Sequence, residues 1–235
     1  MIVFLAGMQR SGSTFSFNVV RHLLERRGKI CQVPSSDLIG VLEQSTGADH
    51  LLMKSHSAND QVIRLARLGA VKVICTVRKP EDAIASGVEV FGFSLEDAID
   101  HMRTWLDMFC QLRTHALVIP YRQIDTRPWR ATWDIARHVC PDARPYEIIK
   151  LASKYRKSKV KAFADELRNE DENISDMGFS YFDNTTFFHR RHVSTLKSRS
   201  AVDRIGDDAV KSIRAALREH LDPSGELILQ PSVTV

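Results

Sequence analysis

Residues 1–15, MIVFLAGMQRSGSTF, decide the fold of this 235-residue chain. The apolar residues 1–6 predict a short buried strand, and the apolar side chains of residues 14–27 recur at helical spacing. The glycine loop Gly7–Gly12 connects the two. Backbone N–H groups converge in such a loop, and the following helix N-terminus carries partial positive charge. The stretch therefore predicts a site for a phosphate-like anion.

The same alternation of strand and helix continues to residue 120. The apolar runs predict strands at 50–53, 71–77 and 116–120, and helices at 59–68, 80–90 and 95–112. Ser94 precedes the last of these helices, and Asp97 follows three residues later, as in a capping box. Strands that alternate with helices of this length predict an α/β fold with three layers, P-loop-like, in which helices flank a central parallel sheet.

The last third of the sequence has a different pattern. Residues 146–167 predict one long helix with a basic, solvated middle, and residues 206–221 predict a closing helix. Residues 169–200 show no clear periodicity, and loops of that length in a compact domain tend to be lids or binding segments. We interpret residues 1–235 as a single domain in which 169–200 form a lid or acceptor segment.

The composition is that of an ordinary globular protein. The chain is 43% hydrophobic and 26% charged, which excludes collagen-like, disordered and disulfide-scaffold classes. No apolar stretch approaches the roughly 20 residues of a membrane span, and we expect no secretion signal. A net charge of +4 fits an anionic small molecule better than nucleic acid. The four cysteines are scattered, which favours reduced thiols and a cytoplasmic location.

The glycine loop departs from that of nucleoside triphosphatases. The spacing Gly7-x4-Gly12 is theirs, but Ser13 stands in the place of their lysine, and the basic residue is Arg10. Such enzymes also hold Mg²⁺ through an acidic residue at a strand end. Here the residues that directly follow the predicted strands are Lys54 and Arg78. We therefore expect an anion other than Mg·ATP, and no metal.

Several polar residues follow the predicted strands. Ligands of a doubly wound sheet lie outside the carboxyl ends of its strands, so one crevice is expected to collect the loop and both strand ends. That crevice would hold Arg10, Lys54, His56 and Arg78, with hydroxyls from Ser11, Ser13, Thr14 and Ser86. So many cations suit a ligand with more than one phosphate-like group.

These segments resemble the signatures of sulfotransferases that use 3′-phosphoadenosine 5′-phosphosulfate (PAPS). Gly7 to Phe15 is similar to the 5′-phosphosulfate loop of that family, and Lys54-Ser55-His56 is similar to the Lys-Thr-His tripeptide of its cytosolic branch. Arg78-x-Pro80-x-Asp82-x3-Ser86 resembles the 3′-phosphate motif. Tyr121 falls where the family has a Tyr-Glu-Asp-Leu segment near the nucleotide. The resemblance runs to about residue 125.

Some positions differ from the family pattern. Arg10 replaces the usual lysine, Gln9 a common proline, and Phe15 a tryptophan. The family's late Arg-Lys-Gly segment is poorly matched. The most similar stretch is residues 188–193, FHRRHV, where Arg190 or Arg191 is the candidate ligand of the 3′-phosphate.

The resemblance implies a role for each of these residues. His56 would be the general base, Lys54 would meet the bridging oxygen, and Arg10 would act in catalysis and hold the 5′-phosphosulfate together with the loop. Phe15 would contact the adenine. The remaining donor ligands implied are Ser11, Gly12, Ser13, Thr14, Arg78, Ser86, Tyr121 and Arg190 or Arg191. The donor would be PAPS and the product 3′-phosphoadenosine 5′-phosphate (PAP), without a metal.

The acceptor and the oligomeric state stay open at this stage. The resemblance implies a small molecule that presents a hydroxyl or an amine, and the sequence leaves open whether the chain forms a homo-oligomer. Two other functions are consistent with the phosphate loop: a P-loop kinase of a nucleotide or small molecule, and a non-catalytic nucleotide-binding module. Ser13 in the place of the lysine disfavours the kinase, and Lys54 with His56 beside the loop disfavours the module.

Overall fold

A five-stranded parallel sheet forms the centre of the molecule. The computed structural model describes residues 1–168, 170–176, 181–190 and 199–229. Along the sheet the strands follow the order β2-β3-β1-β4-β5. They are β1 (Ile2–Leu5), β2 (Ile30–Val33), β3 (His50–Lys54), β4 (Val71–Val77) and β5 (Ala116–Pro120). Helices cover both faces, which confirms the predicted three-layer α/β fold.

Strand β1 is central and buried on both sides. Val3 and Leu5 pack on one face of the sheet and Phe4 on the other, and all three are at most 1% exposed. Burial on both faces explains why this strand is a continuous apolar run rather than an alternating one. The pairing with β4 continues past the strand, because Met8 N–H donates to Thr76 O at 2.9 Å. The start of the glycine loop is therefore fixed to β4.

The helices divide between the two faces of the sheet. One face is covered by α1 (Ser13–Glu25), α7 (Pro128–Val139), α8 (Pro145–Lys154) and α9 (Lys157–Glu166). The other carries α2 (Leu38–Gln44), α3 (Asp60–Arg67), α4 (Pro80–Phe91), α5 (Leu95–Leu112) and α11 (Asp207–Ala216). The short helices α6 (Tyr121–Thr126) and α10 (Ala201–Ile205) lie beside them. Ser94 Oγ accepts a hydrogen bond from Asp97 N–H at 3.0 Å, so the predicted cap of α5 is confirmed.

The predicted long helix over residues 146–167 is wrong, because the chain forms two helices there, α8 and α9. The helix stops at Tyr155, and Arg156 adopts an extended conformation. Tyr155 is 5% exposed, its hydroxyl lies 2.8 Å from His22 Nδ1, and its ring packs against Phe188. These tertiary contacts accompany the break in a segment whose local pattern is helical throughout.

The structure contains further elements that the sequence patterns do not predict, and one helix is shorter than predicted. The unpredicted elements include strand β2 and helices α2, α6 and α7. The closing helix ends at Ala216 and is followed by a 3-10 turn, Arg218–His220. In the 169–200 segment, β6 (Ile174–Asp176) and β7 (Tyr181–Asp183) pair antiparallel. Asn18 Nδ2 donates to Thr186 O at 2.7 Å, which attaches the end of this hairpin to α1.

Two general properties of the described chain complete the fold. None of its helices is both long enough and apolar enough to cross a membrane. All four cysteines are free thiols. Cys75 is fully buried in β4, and burial raises the pKa of its thiol to about 12.

Candidate functional site

Three strand ends meet at the carboxyl edge of the sheet. Strand β1 lies between β3 and β4, and its Leu5 is in register with Lys54 on one side and Ile74 on the other. Ser55 N–H donates to Leu5 O at 3.2 Å. The topology thus brings the Gly7 loop, the Lys54–His56 segment and Arg78 to one crevice, as the sequence predicted.

The Gly7 loop is shaped by close backbone approach. A Cβ built on Gly7 would lie 2.3 Å from Thr76 Oγ1 and 2.5 Å from Ser13 Cβ, so only glycine fits. Gly12 has φ +86°, a left-handed conformation that other residues rarely adopt. Ser11 is fully buried, and its hydroxyl lies 2.5 Å from Met8 O and 2.7 Å from Thr76 Oγ1. The Ser11 side chain therefore braces the loop against β4 and does not face the crevice.

Helix α1 begins directly after the loop. Ser13 and Thr14 form its first turn, and they are 7% and 2% exposed. Phe15 is 6% exposed and belongs to the core between the sheet and α1. Its ring thus packs mainly in the core, and its contact with adenine stays a prediction. The first N–H groups of a helix have no partner within the helix, so this end of α1 can bind an anion.

Arg10 and Arg78 lie side by side at the edge of the crevice. Arg10 Nε donates to Ser86 Oγ on α4 at 3.1 Å, and Arg78 Nη1 donates to Arg10 O at 3.3 Å. The Arg78 guanidinium lies 4.6 Å from the ring centre of Tyr121. Burial, and then the charge of Arg78, lower the pKa of Arg10 to about 10; burial also lowers the pKa of Arg78. Ser86 is 3% exposed. The structure therefore brings together Arg10, Arg78, Ser86 and Tyr121.

His56 is bonded directly to the glycine loop. Its Nδ1 lies 2.6 Å from the carbonyl oxygen of Gly7. A carbonyl oxygen only accepts hydrogen bonds, so Nδ1 carries the proton and Nε2 has the lone pair. Burial and the nearby charge of Lys54 lower the pKa of His56 to about 4, so the imidazole is neutral at pH 7. Burial alone lowers the pKa of Lys54 to about 8. The pair thus combines a neutral base with an ammonium group.

A second histidine, His189, belongs to the same crevice. It follows the hairpin and forms an isolated bridge with Phe182, and its ring centre lies 6.2 Å from that of Phe91. Burial, then the charges of Lys54 and Arg10, lower the pKa of His189 to about 4. The ligands predicted from this segment are Arg190 and Arg191, and His189 is not among them. Successive residues of an extended chain point in opposite directions, and that alternation is the signal that separates His189 from Arg190.

Of the two late arginines predicted for the 3′-phosphate, only Arg190 falls within the described residues. Arg190 is exposed, and its guanidinium lies 5.7 Å from the ring centre of Tyr181. Arg191 lies outside the described residues. Arg204 of α10 is instead close enough for its charge to lower the pKa values of Arg10 and Arg78. Its side chain is 7% exposed, and Nη1 lies 3.5 Å from a carboxylate oxygen of Glu89.

Strained backbone also occurs at this crevice. Among the described residues other than glycine, only Arg10 and Phe187 have positive φ angles, 58° and 55°. The Phe187 ring centre lies 5.8 Å from Lys54 Nζ. Left-handed conformations at such residues cost on the order of 1–3 kcal/mol and cluster at functional sites. Half-buried cations, a helix N-terminus and a neutral imidazole together can bind a polyanion and accept a proton beside it.

Comparison with known proteins places this fold. No family model matches the sequence, and no curated protein matches it either. Among solved structures, the mouse sulfotransferase SULT7A1 complexed with PAP is similar with a TM-score of 0.63 and 14% identity, over 92% of this chain and 83% of that chain. A retinol dehydratase in complex with androsterone and the inactive cofactor PAP is similar with a TM-score of 0.62 and 14% identity, over 98% of this chain and 82% of that chain. The chain therefore has the fold of these proteins.

Proposed function

We propose that this chain is a sulfotransferase that moves the sulfuryl group of PAPS to a hydroxyl or amine of a small-molecule acceptor. The observation that carries the proposal is the 2.6 Å contact between His56 Nδ1 and Gly7 O, because it joins a neutral base to the anion loop itself. The likeness to two PAP-bound structures supports the choice of donor. A cytoplasmic location and a single-domain organisation, inferred from the sequence, stay predictions.

The residues at the crevice fit a donor with two anionic groups. The Gly7 loop admits no side chain at its closest approach to Thr76, and it opens into the N-terminus of α1. We assign this part to the 5′-phosphosulfate. Arg78 and Ser86 both hydrogen-bond to Arg10, and we assign them to the 3′-phosphate. Arg10 belongs to the loop and also contacts Ser86, so we expect its charge to act on both anionic groups of the donor.

The proposed reaction uses the His56 nitrogen that faces away from Gly7. Nε2 takes the proton of the acceptor hydroxyl while the acceptor oxygen forms a bond to sulfur. The bond between sulfur and the bridging oxygen breaks, and its electron pair stays on the 5′-phosphate of PAP. Lys54 stabilises that developing charge. A nearby anion favours the protonated imidazole, so a bound donor raises the pKa of His56 above about 4 and makes it a stronger base.

Nucleotide binding tests the donor assignment first. Thermal unfolding is measured with 3′,5′-ADP (the compound PAP), with 5′-AMP, and with ATP plus Mg²⁺. A ligand at 100 times its Kd stabilises by about 2.7 kcal/mol, which for a chain of this size raises Tm by roughly 5–11 °C. We expect that shift with 3′,5′-ADP and little with 5′-AMP. A shift with Mg·ATP alone would favour a P-loop kinase, and tight binding without transfer to any acceptor would favour a binding module.

Replacement of the base tests the mechanism. PAP release from PAPS is followed with whichever hydroxyl or amine compound of a screening panel the wild type sulfates. His56→Ala is expected to lower kcat at least 100-fold while 3′,5′-ADP binding is kept, because general base catalysis contributes about 10²–10⁴-fold. His115→Ala is the matched control, since this exposed histidine precedes β5 at the opposite edge of the sheet. Turnover of His56→Ala within a few-fold of wild type would remove the assignment.

A further inference from the structure

Arg204 is a buried cation outside every motif on which the proposed function rests. It lies on α10, and its side chain is 7% exposed. Its Nε has no hydrogen-bond partner in the described part of the chain. The 3.5 Å separation from Glu89 is longer than a charge-assisted hydrogen bond of about 2.7–2.9 Å. Glu89 also pairs with Arg199. The Arg204 guanidinium therefore keeps bonding capacity that Glu89 does not use.

The contacts of α10 with α4 place Arg204 against the helix that carries Ser86. Ala201 of α10 and Ala85 of α4 belong to one small buried cluster. Ser86, the hydroxyl that accepts from Arg10, follows Ala85 directly. Arg204 lies three residues after Ala201 and hence on the same face of the helix. The influence of its charge on Arg10 and on Arg78 agrees with this placement.

The guanidinium groups of Arg10, Arg78 and Arg204 are largely shielded from solvent and lie near enough to repel one another. Burial of like charges is costly unless an anion compensates them with good hydrogen-bond geometry. The Glu89 carboxylate is a single charge shared between two arginines. A phosphate dianion offers two charges and several acceptor oxygens, so it suits this cluster better.

We infer that Arg204 is a specificity-determining residue that binds the 3′-phosphate of the donor nucleotide through its fork of N–H groups. The inference deepens the proposed function and rests on it. In this arrangement the 3′-phosphate is surrounded by Arg78 after the end of β4, Ser86 of α4 and Arg204 of α10. Discrimination between nucleotides with and without that phosphate then depends on a residue from the last part of the chain.

Calorimetric titration of two nucleotides tests the inference. The Kd values of 3′,5′-ADP and 5′-AMP are measured for wild type, Arg204→Met and Arg204→Lys. Arg204→Met keeps the length of the side chain and is expected to weaken 3′,5′-ADP at least 10-fold while 5′-AMP changes less than about threefold. Arg204→Lys keeps the charge without the fork, so an intermediate loss is expected. Arg199→Met, the other partner of Glu89, is the control and should leave both Kd values unchanged.

The outcomes separate the inference from the proposed function. A wild type that binds 3′,5′-ADP no better than 5′-AMP overturns the proposed donor, and the inference with it. A wild type with that preference, together with an Arg204→Met variant that keeps the same ratio of Kd values, overturns the inference alone. Equal weakening of both nucleotides in Arg204→Met and Arg204→Lys also overturns it, because a merely structural residue would act in that way.

Discussion

A single methyl group at Gly7 tests whether the close packing of the loop creates the site. In Gly7→Ala the new Cβ would lie 2.3 Å from Thr76 Oγ1 and 2.5 Å from Ser13 Cβ. Ordinary contacts require about 3.4 Å or more, so both neighbours must move by roughly 1 Å. Thr76 Oγ1 is also bonded to Ser11 Oγ at 2.7 Å, and that buried contact cannot survive the displacement unchanged.

The cost of this substitution follows from two effects. Overpacking of a tight interior costs about 1–3 kcal/mol, and a buried hydroxyl left without its partner costs about 1–3 kcal/mol. We therefore expect a loss of about 2–6 kcal/mol, which for a chain of this size lowers Tm by roughly 4–24 °C. The Gly7 carbonyl holds His56 Nδ1, so nucleotide binding and turnover should fall as well.

Thermal unfolding of Gly7→Ala is compared with Gly87→Ala as a matched control. Gly87 lies within α4, and a Cβ there would meet Phe93 at 3.4 Å, an ordinary contact. Alanine is favoured over glycine in a helix by about 0.5–1 kcal/mol, so the control should keep or raise Tm. A Gly7→Ala protein whose Tm stays within about 1 °C of wild type, with normal 3′,5′-ADP binding, would refute this account of the loop.

Two further predictions concern stability. Trp105→Phe removes the bond from Nε1 to Ala6 O (2.9 Å) at the end of β1, and should cost about 1–3 kcal/mol in urea unfolding; an unchanged midpoint would contradict this. Burial and the charge of Lys154 lower the folded-state pKa of His22 from 6.5 to about 4. The neutral imidazole therefore contributes fully to the free energy of unfolding above pH 6.5, and this contribution is lost as pH falls toward 4. Between pH 7.5 and 5.5 the loss of stability from His22 amounts to about 1.4 kcal/mol. The stability of His22→Gln should lack this part of the pH dependence, and that of the control His115→Gln should retain it. The same pH dependence of stability in His22→Gln and wild type would count against the assignment.

The sheet and its neighbouring helices were largely predictable because their signals are local. Strand β4 and helix α5 have the predicted bounds, Val71–Val77 and Leu95–Leu112. A β-branched run defines the strand, and the Ser94 cap defines the start of the helix. The division between α8 and α9 had no such signal. It coincides with the contact between Tyr155 and His22, residues far apart in sequence. Strand β2 is a half-buried edge strand of four residues, too short for its pattern to stand out.

The candidate site was predictable to the extent that strand ends define it. Arg10, Lys54, His56 and Arg78 each follow or end a strand, so the order of a parallel sheet alone brings them together. Residues supplied by other elements could not be placed in this way. The position of His189 depends on the hairpin that Asn18 attaches to α1, and the position of Arg204 depends on the packing of α10 against α4. The adenine contact of Phe15 was implied by the resemblance alone, and it stays a prediction for a ring that the structure places in the core.

In the proposed function, the electrostatics of the crevice link anion binding to proton transfer. Its basic groups are held close together in a buried place, and the pKa of each is lowered: Arg10 to about 10, Lys54 to about 8, and His56 and His189 to about 4. An anion opposes every one of these shifts, because it favours the charged form of each group. The imidazole of His56 is therefore a weak base while the crevice holds only cations, and a stronger one beside a bound donor. On the proposed mechanism, donor binding prepares the base that the acceptor then meets.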